Sequence, residues 1–281
     1  MLGKVLKYEF KNSVAVMGIF YAALVLFTIM GCFGLHGLQI DSSASTPASV
    51  WFGVLLVFYF VGMVAVNVVS FIYFCKSYST TMYSAQGYLT FTLPVNPTTI
   101  YSAKVICAFI WMMVTFILSG VSLFLFIWSG LTPEAIMEFK TLDWAALSQE
   151  MYMESGMSLE YLIKILCISM PLGFLWYILF IFSCISAGQL VNRNRMVCSI
   201  LTGVIIYTIM EAANLVIMAF TGYYDYMGLV MDSSVSEEEL MNSMHSMLNS
   251  TMIGSVIVQI LFLIALWFFC CYINKKKLNL E

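Results

Sequence analysis

Charge is the first thing this sequence lacks. Asp, Glu, Lys and Arg make up 10% of its 281 residues, while 62% are hydrophobic and the mean hydropathy is +0.94. Soluble domains carry about 25% charge, so an ordinary soluble globule is excluded. A basic stripe is missing too: the 12 Lys and Arg residues form no extended run, which leaves a nucleic-acid role without support. Histidine is nearly absent, with only His36 and His245, far apart in the chain. The eight cysteines, at 32, 75, 107, 167, 184, 198, 270 and 271, form no C-x-x-C pair and fall mostly in apolar runs. They read as small hydrophobes, so neither a disulfide framework nor a metal site is expected. Also lacking are a Walker A loop, H-E-x-x-H, G-x-S-x-G and paired carboxylates at a productive spacing. No enzymatic activity is expected of this chain. The first apolar run has no Ala-x-Ala site after it, so no cleavable signal peptide is expected.

Six long apolar runs dominate what is present, at about 14–35, 50–74, 105–129, 165–185, 197–220 and 253–273. Each has roughly the 20 residues needed to cross a bilayer as a helix. The predicted fold is all-α: one polytopic membrane domain over 1–281 with six transmembrane helices. Residues 1–13 place Lys4, Lys7 and Lys11 on one side of a helix and Leu2, Val5 and Leu6 on another. They read as an N-terminal interfacial helix lying on the lipid surface, with a disordered basic tail as the alternative. Residues 130–160 and 222–250 are acidic loops. In the first, Pro133 and Ser158 act as punctuation, and Trp144, Leu147, Met151 and Met153 can rest on the membrane. In the second, Ser236 and Glu239 match a capping box that opens a short amphipathic helix.

Basic residues sort by position. Lys4, Lys7, Lys11, Lys76, Lys104, Arg193, Arg195 and Lys275–Lys277 fall on the side of the termini, and only Lys140 and Lys164 do not. The positive-inside rule then predicts both termini in the cytoplasm of a multi-pass protein of the cell membrane, and 130–160 and 222–250 outside.

Two stretches could carry function. The first is 76–104, a cytoplasmic platform with no acidic residue between two spans. It contains a Gln86-Gly87 break, Pro94, an Asn96-Pro97 turn, and Thr98 and Thr99 as caps for the next helix. It offers a face to a partner, or else is an interfacial loop anchored by Tyr78, Tyr83, Tyr88 and Tyr101. The second is Glu211, the one ionisable residue near the middle of a span. Tyr207 and Asn214 lie on the same helical face. The stripe lines a transport path or forms a structural hydrogen-bond network between helices. Asn67 and Ser70 on the second span read as helix–helix glue, and Pro171 as a kink.

Several segments resemble permease subunits of the ABC-2 type from Gram-positive, clostridial-like bacteria. These are the opening MLGKVLKYEFK, the platform YSAQGYLTFTLPVNPTTIYSAK, SAGQLVNRNR before the fifth span and the closing YINKKKLNLE. The platform is the most distinctive of them. The resemblance implies the membrane-spanning permease subunit of an ABC transporter, an exporter, driven by a separate ATPase subunit. It further implies a second permease subunit, identical or a sister. ATP and Mg would sit on the ATPase partner, because this chain lacks the Gly-rich loop and Lys that hold phosphates. Residues 76–104 would be the coupling segment. Tyr88, Leu89, Phe91 and Leu93 would pack on the ATPase, and Arg193 and Arg195 would add a charged contact. The acidic outer loops and Glu211 match nothing in that family. Two other classes remain open: a secondary transporter using Glu211, and a membrane assembly or interaction protein that transports nothing.

Overall fold

The computed structural model describes residues 1–40, 47–84, 86–87, 92, 94–155, 157–191, 194–231 and 236–276. These are 93% helical, and no strand occurs among them. The helices are α1 (Leu2–Ile40), α2 (Pro47–Tyr83), α3 (Pro97–Gly130), α4 (Pro133–Thr141), α5 (Trp144–Ser155), α6 (Leu159–Gly188), α7 (Arg195–Phe220), α8 (Tyr223–Met231) and α9 (Glu237–Lys276). Each expected apolar run lies inside one of α1, α2, α3, α6, α7 and α9. These six are long and apolar enough to cross a membrane.

The helices overrun the apolar stretches. At 39 and 40 residues, α1 and α9 extend about 60 Å, twice the roughly 30 Å of bilayer hydrocarbon. Residues 2–13 are not a separate interfacial helix; they are the first turns of α1, with no break before the span. Ser13 is the polar residue at the join, and it does not unwind the helix. Its hydroxyl hydrogen-bonds back to the Glu9 carbonyl at 2.6 Å, as helical Ser residues often do. The loops at 130–160 and 222–250 are likewise largely helical, as α4, α5, α8 and the start of α9. Polar caps account for this. Asp143 accepts from Ala145 N at 3.0 Å, Ser158 from Tyr161 N at 3.3 Å, and Ser236 from Glu239 N at 3.3 Å. The expected amphipathic helix therefore runs unbroken into the last span.

The chain divides into two compact units, Met1–Thr141 and Leu142–Asn279. In the first unit, α1 packs against both α2 and α3. Its partners on α3 keep a nearly constant sequence offset. Glu9 meets Lys104 (95 residues on), Ser13 meets Cys107 (94), Tyr21 meets Thr115 (94) and Thr28 meets Ser122 (94). A constant offset means α1 and α3 run parallel. Against α2 the partners descend as α1 ascends: Phe27 with Gly62, Gly31 with Tyr59, Gly37 with Phe52. That pair is antiparallel. A Cβ on Gly31 would come within 2.6 Å of the Tyr59 ring, and one on Gly62 within 2.5 Å of Phe27. Each glycine is a notch for an aromatic ring of the other helix, which lets the backbones approach closely.

The second unit repeats this up-down-up arrangement. α6 and α9 run parallel, with Tyr161 bonded to Asn249 (offset 88) and Ser183 in contact with Cys270 (offset 87). α7 is antiparallel to both, with Gly188 beside Ser199, Gly203 beside Cys184, and Thr221 beside Thr251. α7 ends where Gly222 takes φ 86°, a left-handed conformation that glycine adopts without steric cost. Pro171 sits inside α6 without ending it. Apolar packing in this unit centres on Trp176, Leu179 and Phe182 of α6 and Leu266, Cys270 and Ile273 of α9, all at most 7% exposed.

Candidate functional site

The platform is carried by the ends of two long helices. Residues 76–83 are the last turns of α2, and 97–104 are the first turns of α3. Between them, the described residues 84, 86–87, 92 and 94–96 lie outside both long helices. This stretch begins with a tight turn in which Gly87 N donates to Ser84 O at 2.7 Å. Ser84 Oγ in turn bonds the Thr80 carbonyl. At the far end, Asn96 takes an extended conformation at the N-cap, and Pro97 opens α3. Thr99 N donates to the Asn96 carbonyl at 2.8 Å. The cap is therefore Asn96-Pro97, not Thr98 or Thr99. Proline is preferred at a first helical position because its missing N–H has no partner there anyway.

Three of the four tyrosines expected to anchor an interfacial loop are inside the protein. Tyr78 and Tyr101 are fully buried and Tyr83 is 7% exposed. The Tyr78 ring lies edge-on to Tyr83 at 5.7 Å and to Tyr101 at 6.1 Å, and the Tyr78 and Tyr83 hydroxyls are 3.2 Å apart. A headgroup-level tyrosine keeps its tip in the wet interface. These rings instead tie the end of α2 to the start of α3.

A second tie binds α3 to α1. Lys104 Nζ donates to Glu9 Oε1 at 2.7 Å, with the lysine side chain 4% exposed and the glutamate 22%. One turn further along, Trp111 Nε1 donates to Ser13 Oγ at 3.1 Å, and Cys107 Sγ is 3.6 Å from the same hydroxyl. Phe10 and Tyr21 flank the Trp111 ring at 5.8 and 5.9 Å. All three long helices of the first unit are thus locked together beside the platform. In the sequence Lys104 is one of the topology-setting cations, and Glu9 carries no assigned role. Their spacing of 95 residues leaves no local signal that they meet.

The remaining candidates fare differently. Tyr88, Leu89, Phe91, Leu93 and Arg193 lie outside the described residues. Arg195 is the first residue of α7, half-buried, with its carbonyl accepting from Ser199 Oγ at 3.1 Å. On α7, Tyr207 is 53% exposed and stands one turn before Glu211 on the same face. Glu211 is exposed, and Asn214 Oδ1 is buried with no hydrogen-bond partner among the described residues. The three residues share one face of α7, as their spacing requires. The stripe lies on the one long helix with no buried residue. Asn67 does act as glue, donating to Ser119 Oγ at 2.9 Å, whereas Ser70 is fully buried without a partner among the described residues. Among those residues, no group of three or more His, Cys, Asp or Glu could hold a metal ion.

No family model matches the chain, and neither a curated protein nor a solved structure matches it.

Proposed function

We propose that this chain is the permease subunit of an ABC exporter, working with a separate ATP-hydrolysing subunit and a second permease subunit in the cell membrane, with both termini in the cytoplasm. The carrying observation is the double tie beside the platform. The Tyr78–Tyr83–Tyr101 cluster joins α2 to α3, and the Lys104–Glu9 ion pair joins α3 to α1. A segment that receives a push from a soluble motor must be stiffly joined to the helices it moves, and buried rings and a partly buried ion pair provide that stiffness. The resemblance of 76–104 to the permease family's coupling stretch supports the same reading. ATP and Mg belong to the partner in this proposal.

Co-expression with the candidate ATPase, co-purification and an ATPase assay in nanodiscs test the proposal. A stable complex whose hydrolysis responds to the permease is expected. Transport by the chain with no ATPase present would sink it. That second outcome would favour a secondary transporter built on Glu211, the reading suggested by an exposed carboxylate on a membrane-spanning helix.

A further inference from the structure

In the second unit, α6 and α9 are tied at two levels, by Tyr161–Asn249 at 2.7 Å and by Ser183–Cys270 at 3.2 Å. Between these ties the helices part. The opening is a groove of about 310 Å³, walled chiefly by Ile165 and Ile168 of α6 and Met252, Ile253, Val256 and Ile257 of α9. That volume is at the small end of ligand sites, which run from about 300 to 1,000 Å³. A second hollow of about 160 Å³ shares Ser169 and continues along α6 to Tyr177. From Tyr161 to Ser169 the groove between the two helices is about 12 Å long, close to the roughly 15 Å depth of one leaflet's hydrocarbon, and the second hollow is lined by α6 alone.

Polar residues stand at one end of the groove. Lys164 lines it just ahead of the apolar run, alongside Tyr161 and Asn249. Lys164 Nζ lies 3.5 Å from Glu160 Oε2, with the side chains 72% and 81% exposed. So exposed and loose a pair contributes little by itself, and both groups stay free to take other partners. An apolar slot with Lys164 at one end, and Glu160 beside that lysine one turn earlier, matches an acyl chain whose headgroup carries a phosphate and an ammonium.

We propose that the α6/α9 groove holds one phospholipid of the phosphatidylethanolamine type, with one of its two acyl chains between the Ile and Val side chains. Lys164 donates to the phosphate, and Glu160 accepts from the primary ammonium. The tail supplies dispersion contacts that the groove walls otherwise lose. The headgroup selects the lipid, because Glu160 disfavours an anionic headgroup and a quaternary ammonium has no N–H to donate. The inference does not depend on the transport proposal.

The test uses the full chain in nanodiscs of phosphatidylethanolamine, phosphatidylcholine and phosphatidylglycerol in equal parts. Lipids retained after release are identified by native mass spectrometry. One phosphatidylethanolamine per chain is expected, favoured over either competitor by about tenfold, the scale of one charge-assisted hydrogen bond. Ile168→Trp or Val256→Phe should fill the slot and abolish retention. Ile163→Trp, on the same helix but outside the groove, should not. Glu160→Ala should keep a lipid while erasing the preference for phosphatidylethanolamine over phosphatidylcholine. Thermal unfolding of each sample confirms that the variants are folded. Retention of no lipid, equal retention of all three, or undiminished retention in both groove-filling variants overturns the proposal.

Discussion

Lys104 and Glu9 are 95 residues apart in the chain and 2.7 Å apart in the fold. The pair closes the parallel interface between α1 and α3 at the end that carries the platform. Cutting one partner of a buried ion pair leaves the other charge without compensation, at about 3–5 kcal/mol when burial is complete. Glu9 retains some exposure, so the lower end applies. Lys104→Met or Glu9→Gln alone should lower the unfolding temperature in detergent markedly, and the double variant should recover most of the loss. If the double variant melts as low as Lys104→Met, the pair is not a coupled unit.

The glycine notches between α1 and α2 make a sharper stability prediction. A Cβ at Gly31 would lie 2.6 Å from the Tyr59 ring, whereas nothing lies within 4 Å of one at Gly53 on α2. Gly31→Val should destabilise by about 1–3 kcal/mol through overpacking. Gly53→Ala should be neutral or slightly stabilising, because Ala is the better helix former. Thermal unfolding of the two side by side settles it, and equal effects would refute the close approach.

For the platform, Tyr88→Ala and Phe91→Ala should weaken co-purification with the ATPase or uncouple hydrolysis from transport, with membrane insertion unchanged. Aromatic anchors at protein contacts commonly cost about 2 kcal/mol or more on truncation. Tyr78→Ala should act differently. It removes a fully buried ring, so it should lower stability first. Wild-type binding and coupling in both Tyr88→Ala and Phe91→Ala would rule out the assigned contact.

Glu211 is tested by a matched pair. Glu211→Gln keeps a hydrogen-bonding group for Tyr207 and should leave folding intact. Glu211→Leu removes it and should perturb assembly or transport, with a modest effect on stability because such bonds in membranes average about 0.6 kcal/mol. Intact assembly with transport lost in both variants would mark the carboxylate as part of the conduction path. Full function in Glu211→Leu would leave the stripe with no role.

Cysteine labelling in a cysteine-free background reads the topology. Positions 76 and 276 should label only after the membrane is permeabilised, and positions in 130–160 and 222–250 should label from outside. Strong outside labelling at 76 would reverse the assignment of the platform to the cytoplasm.

Six apolar runs determined six membrane-length helices, because a helix is the one open-ended structure that satisfies its own backbone in lipid, and run length is a property of the sequence alone. The cap at Ser236 was legible for the same reason, since Glu239 is three residues away and the bond between them is local, whereas the cap of α3 fell to Asn96 rather than to Thr98 or Thr99. Helix ends were not, since nothing in the composition near Ser13 marks whether a helix turns or runs on. The placement of Tyr78, Tyr83 and Tyr101 was beyond sequence reach as well, because an interfacial tyrosine and a buried one have the same neighbours in the chain. Only the tertiary structure decided that these rings face one another and that Lys104 spends its charge on Glu9. Such pairs depend on the register between helices, and register is set by packing: glycine notches against aromatic rings, and hydroxyls meeting at an offset of 94.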